Sequence, residues 1–228
     1  MYFDSYYLVL VVAPMIIGLW AQNKISSTYK KYSQLPLDRG STGAEIARKI
    51  LDKNKLSDVR IEKIQGSLTD HFDPKAGVIR LSRGVHDGNS VAAIGVAAHE
   101  CGHALQYATD YAPIKIRSSL IPITNFGTKL AVPLVLVGMM VAWYPLVYVG
   151  LIGYALIAIF QLITLPVEFN ASNRALVTLS SLNMTKSELQ GAKKVLDAAA
   201  MTYVAALISA VTQLLHLLIR ANRRNSRR

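Results

Sequence analysis

Four apolar stretches, at residues 6–20, 130–144, 146–167 and 198–219, set the first limit on what this chain can fold into. A helix needs about 20 apolar residues to cross a bilayer core, and its backbone amides must be satisfied within the segment. Apolar runs that alternate with polar sequence therefore predict membrane helices around a water-facing middle. The composition agrees, with 52% of residues hydrophobic and 17% charged, where an average soluble domain carries about 25% charged residues. The formal net charge is +11. Such a balance suits either nucleic acid or the cytoplasmic face of a membrane. No nucleic-acid-binding signature is present, and basic residues flank the apolar runs: Lys24, Lys30 and Lys31 after the first, Arg220, Arg223 and Arg224 after the last. The expected partner is the lipid bilayer, with no nucleic acid.

The first run is preceded by Asp4 and by no basic region, so it reads as a retained anchor rather than a cleaved signal, with Tyr6, Tyr7 and Trp20 at the interfaces. The expected organisation is an N-terminal membrane anchor over 1–22, a water-facing domain over 23–128 and a transmembrane hairpin over 129–167 that turns at Tyr144 and Pro145. A polar helical segment over 168–197 and an apolar helix with a basic tail over 198–228 complete it. Cys101 is the single cysteine, which excludes an intrachain disulfide and fits a reducing compartment.

Within 23–128 the pattern predicts an α+β domain. Thr42 and Glu45 form a capping-box pair ahead of Ile46, Ile50 and Leu51 on one helical face. Residues 59–64 alternate as a half-buried strand does, 66–72 read as a second strand, 73–77 as a turn and 78–82 as a third strand. Asn89 or Ser90 can cap a helix from 91 to about 108, with Pro113 beyond its end.

That last helix carries Ala98-His99-Glu100-Cys101-Gly102-His103. Residues four apart lie on one helical face, so His99 and His103 can grip one Zn²⁺ while Glu100, beside them, takes a proton from the attacking water. Cys101 lies around the helix from that face and is read as packing. Gly102 in mid-helix costs about 1 kcal/mol relative to Ala, and a close backbone neighbour would explain it. Zinc in a catalytic site needs a third protein ligand and an open position. No third histidine follows within a few residues of His103. The downstream glutamates are Glu168 and Glu188. Glu168 is favoured, because it opens a segment in which Ala171 and Ala175 permit close helix packing, whereas Glu188 reads as a solvated first-turn residue.

Over nearly its whole length the chain resembles the YugP-type family of bacterial membrane zinc metallopeptidases. The resemblance is carried by the N-terminal anchor, LTDHFDP at 68–74, HECGH at 99–103, YAPIKIRS at 111–118 and LPVEFNAS at 165–172. The layout is also similar to the HtpX-type membrane proteases, in which the glutamate of an E-x-x-A-D segment completes the zinc site. Ser172 stands here where those proteins have aspartate, so Ser172 or Asn170 would have to supply its support. The resemblance implies a membrane-anchored, gluzincin-like zinc protease domain with three to four transmembrane helices, acting on protein or peptide substrates at a bacterial cell membrane.

The tetrahedral oxyanion of peptide hydrolysis wants a donor besides the metal. His71 and Arg174 are the candidates, each with a plain structural alternative: a strand residue at a turn for His71, a helix ion-pair partner for Arg174. His86 reads as a surface residue and His216 as structural. Residues 68–72 and 78–82 are expected to border the cleft and offer an edge for an extended peptide. Two other readings compete. An intramembrane protease would place its motif helix in the bilayer and use a later Asp-Gly, but Asp87 and Gly88 precede the motif here. A zinc-binding scaffold or chaperone partner without hydrolytic activity would need a closed site of four protein ligands, for which this chain has few Cys and His.

Lys24, Lys30, Lys31 and Arg39 follow the first anchor, so the positive-inside rule puts the catalytic domain in the cytoplasm. The hairpin then returns the chain to the same side. Residues 198–219 either cross a fourth time or pack in the interface through the polar face of Thr202, Ser209, Thr212, Gln213 and His216.

Overall fold

The computed structural model describes residue 6, residues 8–38 and residues 40–225. Asp4, Tyr7, Arg39 and the last three residues of the basic tail lie outside the described residues. In chain order the elements are α1 (Leu8–Tyr32), α2 (Gly43–Lys53), β1 (Arg60–Ile64), β2 (His71–Asp73), β3 (Val78–Ser82), α3 (Arg83–His86), α4 (Val91–Ala108), α5 (Ala112–Met140), α6 (Tyr144–Ser180) and α7 (Lys186–Asn225). The chain forms two compact units. One comprises the described parts of Met1–Gln22, Lys115–Pro166 and Thr202–Arg228, the other Asn23–Ile114 and Val167–Met201.

The first unit is helical. Four helices of the chain are long and apolar enough to cross a membrane, including the last, Lys186–Arg223, so the apolar run at 198–219 lies in a helix of crossing length. Only 17–22% of each apolar window is buried within the protein, which leaves apolar surface that lipid, not water, would cover. The hairpin helices are longer than the hydropathy suggested. α5 begins at Ala112 and α6 runs to Ser180, because Lys115, Arg117 and Lys129 dilute the apolar signal without ending a helix. Pro113, expected as a stop, sits in the first turn of α5, where its missing N–H costs no helical bond. The turn between them includes Ala142 at φ 57°. The two helices approach closely at glycines: a Cβ on Gly150 would lie 2.6 Å from the Ala131 carbonyl oxygen, the small-residue packing that membrane helices favour.

The second unit holds the sheet, in order β1-β3-β2, with β1 parallel and β2 antiparallel to β3. The expected strand over 66–72 shrinks to His71–Asp73. Gly66 at φ 104° and Leu68 at φ 58° break the extended chain before it, and positive φ is incompatible with a strand. Asp73 ends β2, and its carboxylate accepts from Lys75 N and Ala76 N to shape the following turn. The capping box forms: Thr42 Oγ1 accepts from Glu45 N and Thr42 N donates to Glu45 Oε2. It starts α2, whose Ile46, Ile50 and Leu51 bury against Ile79 and Leu81 of β3 and Ile94, Ala97 and Ala98 of α4 in one core. Each such side chain contributes about 1.5–3 kcal/mol by leaving water.

Glu188 corrects an expectation. It is 9% exposed rather than solvated, because it closes a second capping box with Thr185 at the start of α7 and also accepts from Asp38 N.

Candidate metal centre

Ser90 starts the motif helix, its hydroxyl accepting from Ala93 N. The residues that follow are mostly small, and α4 is buried along most of its length. Small residues let other helices come close. Gly95 faces Ala192 of α7, and at Gly102 a Cβ would run into the Ala171 carbonyl of α6. Gly102 therefore has the backbone neighbour its helical cost required. Ala171 and Ala175 are fully buried on the facing side. This contact sets α6 against α4 at the level of the two histidines.

Glu168, 2% exposed, comes to His99 and His103 as a result. Its Oε2 lies 3.2 Å from His99 Nε2 and 3.6 Å from His103 Nε2. The two rings meet edge to face with centroids 4.7 Å apart. One ligand atom from each of the three residues falls within 4.8 Å of the others. Two imidazole nitrogens and one carboxylate oxygen suit zinc, whereas calcium and magnesium favour all-oxygen sets. The donor set therefore fits the metal that the motif implies.

The Nδ1 atoms are held from behind. His99 Nδ1 is 3.1 Å from Ser172 Oγ, and His103 Nδ1 is 3.0 Å from Gln106 Oε1. With Nδ1–H donating, each Nε2 lone pair is left to face Glu168, as a metal ligand requires. Gln106 is fully buried and spends its amide N–H groups on the Val167 carbonyl and on Asn170 Oδ1. Arg174 Nε donates to the same Asn170 Oδ1 at 2.8 Å, and its Nη1 to the Leu105 carbonyl at 3.4 Å. The guanidinium also stacks over Tyr111. Ser172 and the Asn170–Gln106 pair thus each support one histidine. Sequence reasoning passed over Gln106, although a glutamine three residues after His103 on an otherwise apolar helix was a usable signal.

Glu100 is 7% exposed, and among the described residues no hydrogen bond or ion pair engages its carboxylate. Burial alone would push the His103 imidazole down. Its hydrogen bond and charge interaction with Glu168, with a further contribution from Glu100, hold it above its ordinary value. Burial pushes the Cys101 thiol well above its ordinary range, and Sγ points to the Ala47 carbonyl, so it packs in the core.

His71 is not brought into this group. It is exposed on β2, with Nδ1 2.8 Å from the Thr69 carbonyl and Nε2 3.5 Å from Arg80 Nη1. Its strand is an edge of the sheet and packs on the motif helix, Phe72 meeting Tyr107 edge to face at 5.6 Å, whereas β3, also expected to offer an edge, is the central strand and is paired on both sides. His86 pairs with Asp87.

Comparison with known proteins adds the family. Residues 7–222 match the family described as "Putative neutral zinc metallopeptidase". A relative from Bacillus subtilis (strain 168), named "Putative membrane protease YugP", is 44% identical over 214 residues, covering 93% of this chain and 95% of that protein. No solved structure matches.

Proposed function

Because this chain belongs to the neutral zinc metallopeptidase family, we propose that it is a zinc-dependent endopeptidase acting on membrane or membrane-proximal proteins. The observation that carries the reading is the convergence of His99, His103 and Glu168 beside a buried, unengaged Glu100. When bound, zinc supplies Lewis acidity, making a water molecule easier to deprotonate and polarising the scissile carbonyl. His99, His103 and Glu168 would hold the metal. Glu100 takes the proton from the attacking water and returns it to the leaving amine.

His71 and Arg174 are the proposed oxyanion donors. Arg174 already orders Asn170 and the Leu105 carbonyl, so a direct contact would add to its positioning of the ligands. His71 is exposed on the edge strand that packs against α4.

The test uses the purified full-length protein and an unfolded membrane-protein substrate. Internal cleavage is expected, lost on chelation and regained on adding zinc. Zinc binding with no cleavage of any peptide bond would favour the alternative, a zinc-binding scaffold.

The positive-inside rule favours the catalytic domain in the cytoplasm; a fourth crossing by the helix over Lys186–Arg223 would carry the basic tail outside, against the same rule, and the tail label tests that crossing. In a Cys101→Ala background, an impermeant thiol reagent applied to intact cells is expected to label Ser226→Cys and spare Lys75→Cys. Labelling at Lys75→Cys would overturn this orientation.

A further inference from the structure

Apart from the metal centre, the second unit contains a cavity of about 740 Å³ lined by Lys24, Lys31 and Tyr32 of α1, Phe169 of α6, and Lys194 and Met201 of α7. Three features set it apart. First, it is cationic. Lys24, Lys31 and Lys194 are exposed and have no acidic partner among the described residues. The one carboxylate in the lining, Asp197, is held by Lys193 at 2.6 Å. Thr28 adds a hydroxyl to the same wall, whereas the Ser27 hydroxyl donates to the Lys24 carbonyl at 3.1 Å. Second, the cavity is amphipathic. Phe169, Ala198 and Met201 line it beside the lysines, and Phe169 leaves 44% of its surface uncovered. Third, its walls come from particular turns of three helices. α1 enters this unit at Asn23, α6 enters at Val167 and α7 leaves it at Met201. The lining residues cluster within about three helical turns of those crossings. These are the stretches where each helix changes from apolar to charged sequence, as membrane helices do at the lipid–water boundary.

A soluble anion would be served by the lysines and the hydroxyl alone. The combination of cations, a hydroxyl and uncovered apolar side chains, on helices leading into apolar segments, matches a molecule that is phosphate at one end and acyl at the other. We propose that this cavity binds the headgroup phosphate of an anionic glycerophospholipid, with the first part of the lipid's apolar body against Phe169 and Met201. Each lysine near such a headgroup adds attraction that salt screens.

The experiment uses the full-length protein in mild detergent, with thermal unfolding followed as lipid is added. Phosphatidylglycerol is expected to raise the midpoint by about 3 °C or more at saturation. Phosphatidylcholine and inorganic phosphate should leave it unchanged. In the Lys24→Gln/Lys31→Gln/Lys194→Gln variant the response to phosphatidylglycerol should disappear. A control that removes the same charge elsewhere on the unit, Lys49→Gln/Lys55→Gln/Lys75→Gln, should keep it. An unchanged response in the first variant would overturn the site. Equal loss in both variants would reduce the effect to net charge, and an equal shift with inorganic phosphate would make the cavity an anion site only; either result overturns the proposal. Failure of the peptide-cleavage reading would leave this assay untouched, since it measures unfolding and not hydrolysis.

Discussion

Glu100→Gln is expected to lower kcat by about 10²–10⁴-fold while the protein keeps its zinc. Glutamine has nearly the same size and still forms hydrogen bonds, so the α4 packing around it should survive. What it removes is the proton acceptor. Because Glu100 is buried and engaged by no partner among the described residues, its loss breaks no structural interaction there that would confuse the result. The expected loss corresponds to about 3–5 kcal/mol of transition-state stabilisation. The measurement pairs steady-state cleavage of a peptide substrate with metal analysis of the same preparation. Full activity in a zinc-loaded Glu100→Gln protein would remove Glu100 from the mechanism. Loss of zinc along with activity would make it a ligand instead.

The second large effect is on the metal. Purified wild-type protein is expected to carry about one zinc per chain, and His99→Ala, His103→Ala and Glu168→Gln are each expected to lose most of it. The Nε2 atoms of both histidines face Glu168 Oε2 at 3.2 and 3.6 Å, so each substitution removes one of three converging ligand atoms. A graded series separates ligands from their supports. Gln106→Leu frees the His103 ring from its Nδ1 partner, and Ser172→Ala does the same for His99. These two should weaken zinc binding by about 10–100-fold without abolishing it. Glu188→Gln should leave zinc unchanged, since its carboxylate is spent on the Thr185 cap and on Asp38 N; it should cost stability instead, about 1 kcal/mol for a weakened cap. The ranking is read by competition with a chelator of known affinity. A normal zinc content in Glu168→Gln together with a lost one in Glu188→Gln would reverse the assignment of the third ligand.

The chain's local features were readable because their causes are local. Helical periodicity alone puts His99 and His103 on one face, and the capping pairs at Thr42 and Ser90 start their helices through bonds spanning three residues. The expected strand over 66–72 was too long because Leu68 carries no mark of the positive φ it adopts, although Gly66 at φ 104° was a usable signal. Helix lengths in the hairpin were underestimated for a related reason: hydropathy reports what a helix faces, and not where its hydrogen bonding ends.

By itself, then, the sequence determined the segments that need lipid, the α+β character of the middle and the spacing that makes two histidines a candidate metal grip. It also narrowed the third ligand to two glutamates. The sequence favoured Glu168, and the tertiary structure is what brings it to the two histidines. Glu168 reaches the histidines because Gly102 lets the Ala171 backbone of α6 lie against α4, a long-range contact for which the small residues on both helices gave the sequence-level hint. Glu188 has the same chemistry, but the same folding buries it in a helix cap. The supports behind the histidines were decided the same way. Ser172 and Asn170 were expected as supports and Arg174 as a site residue, but Gln106 was not, and the four form side-chain contacts behind the histidines only when two helices far apart in the chain pack side by side.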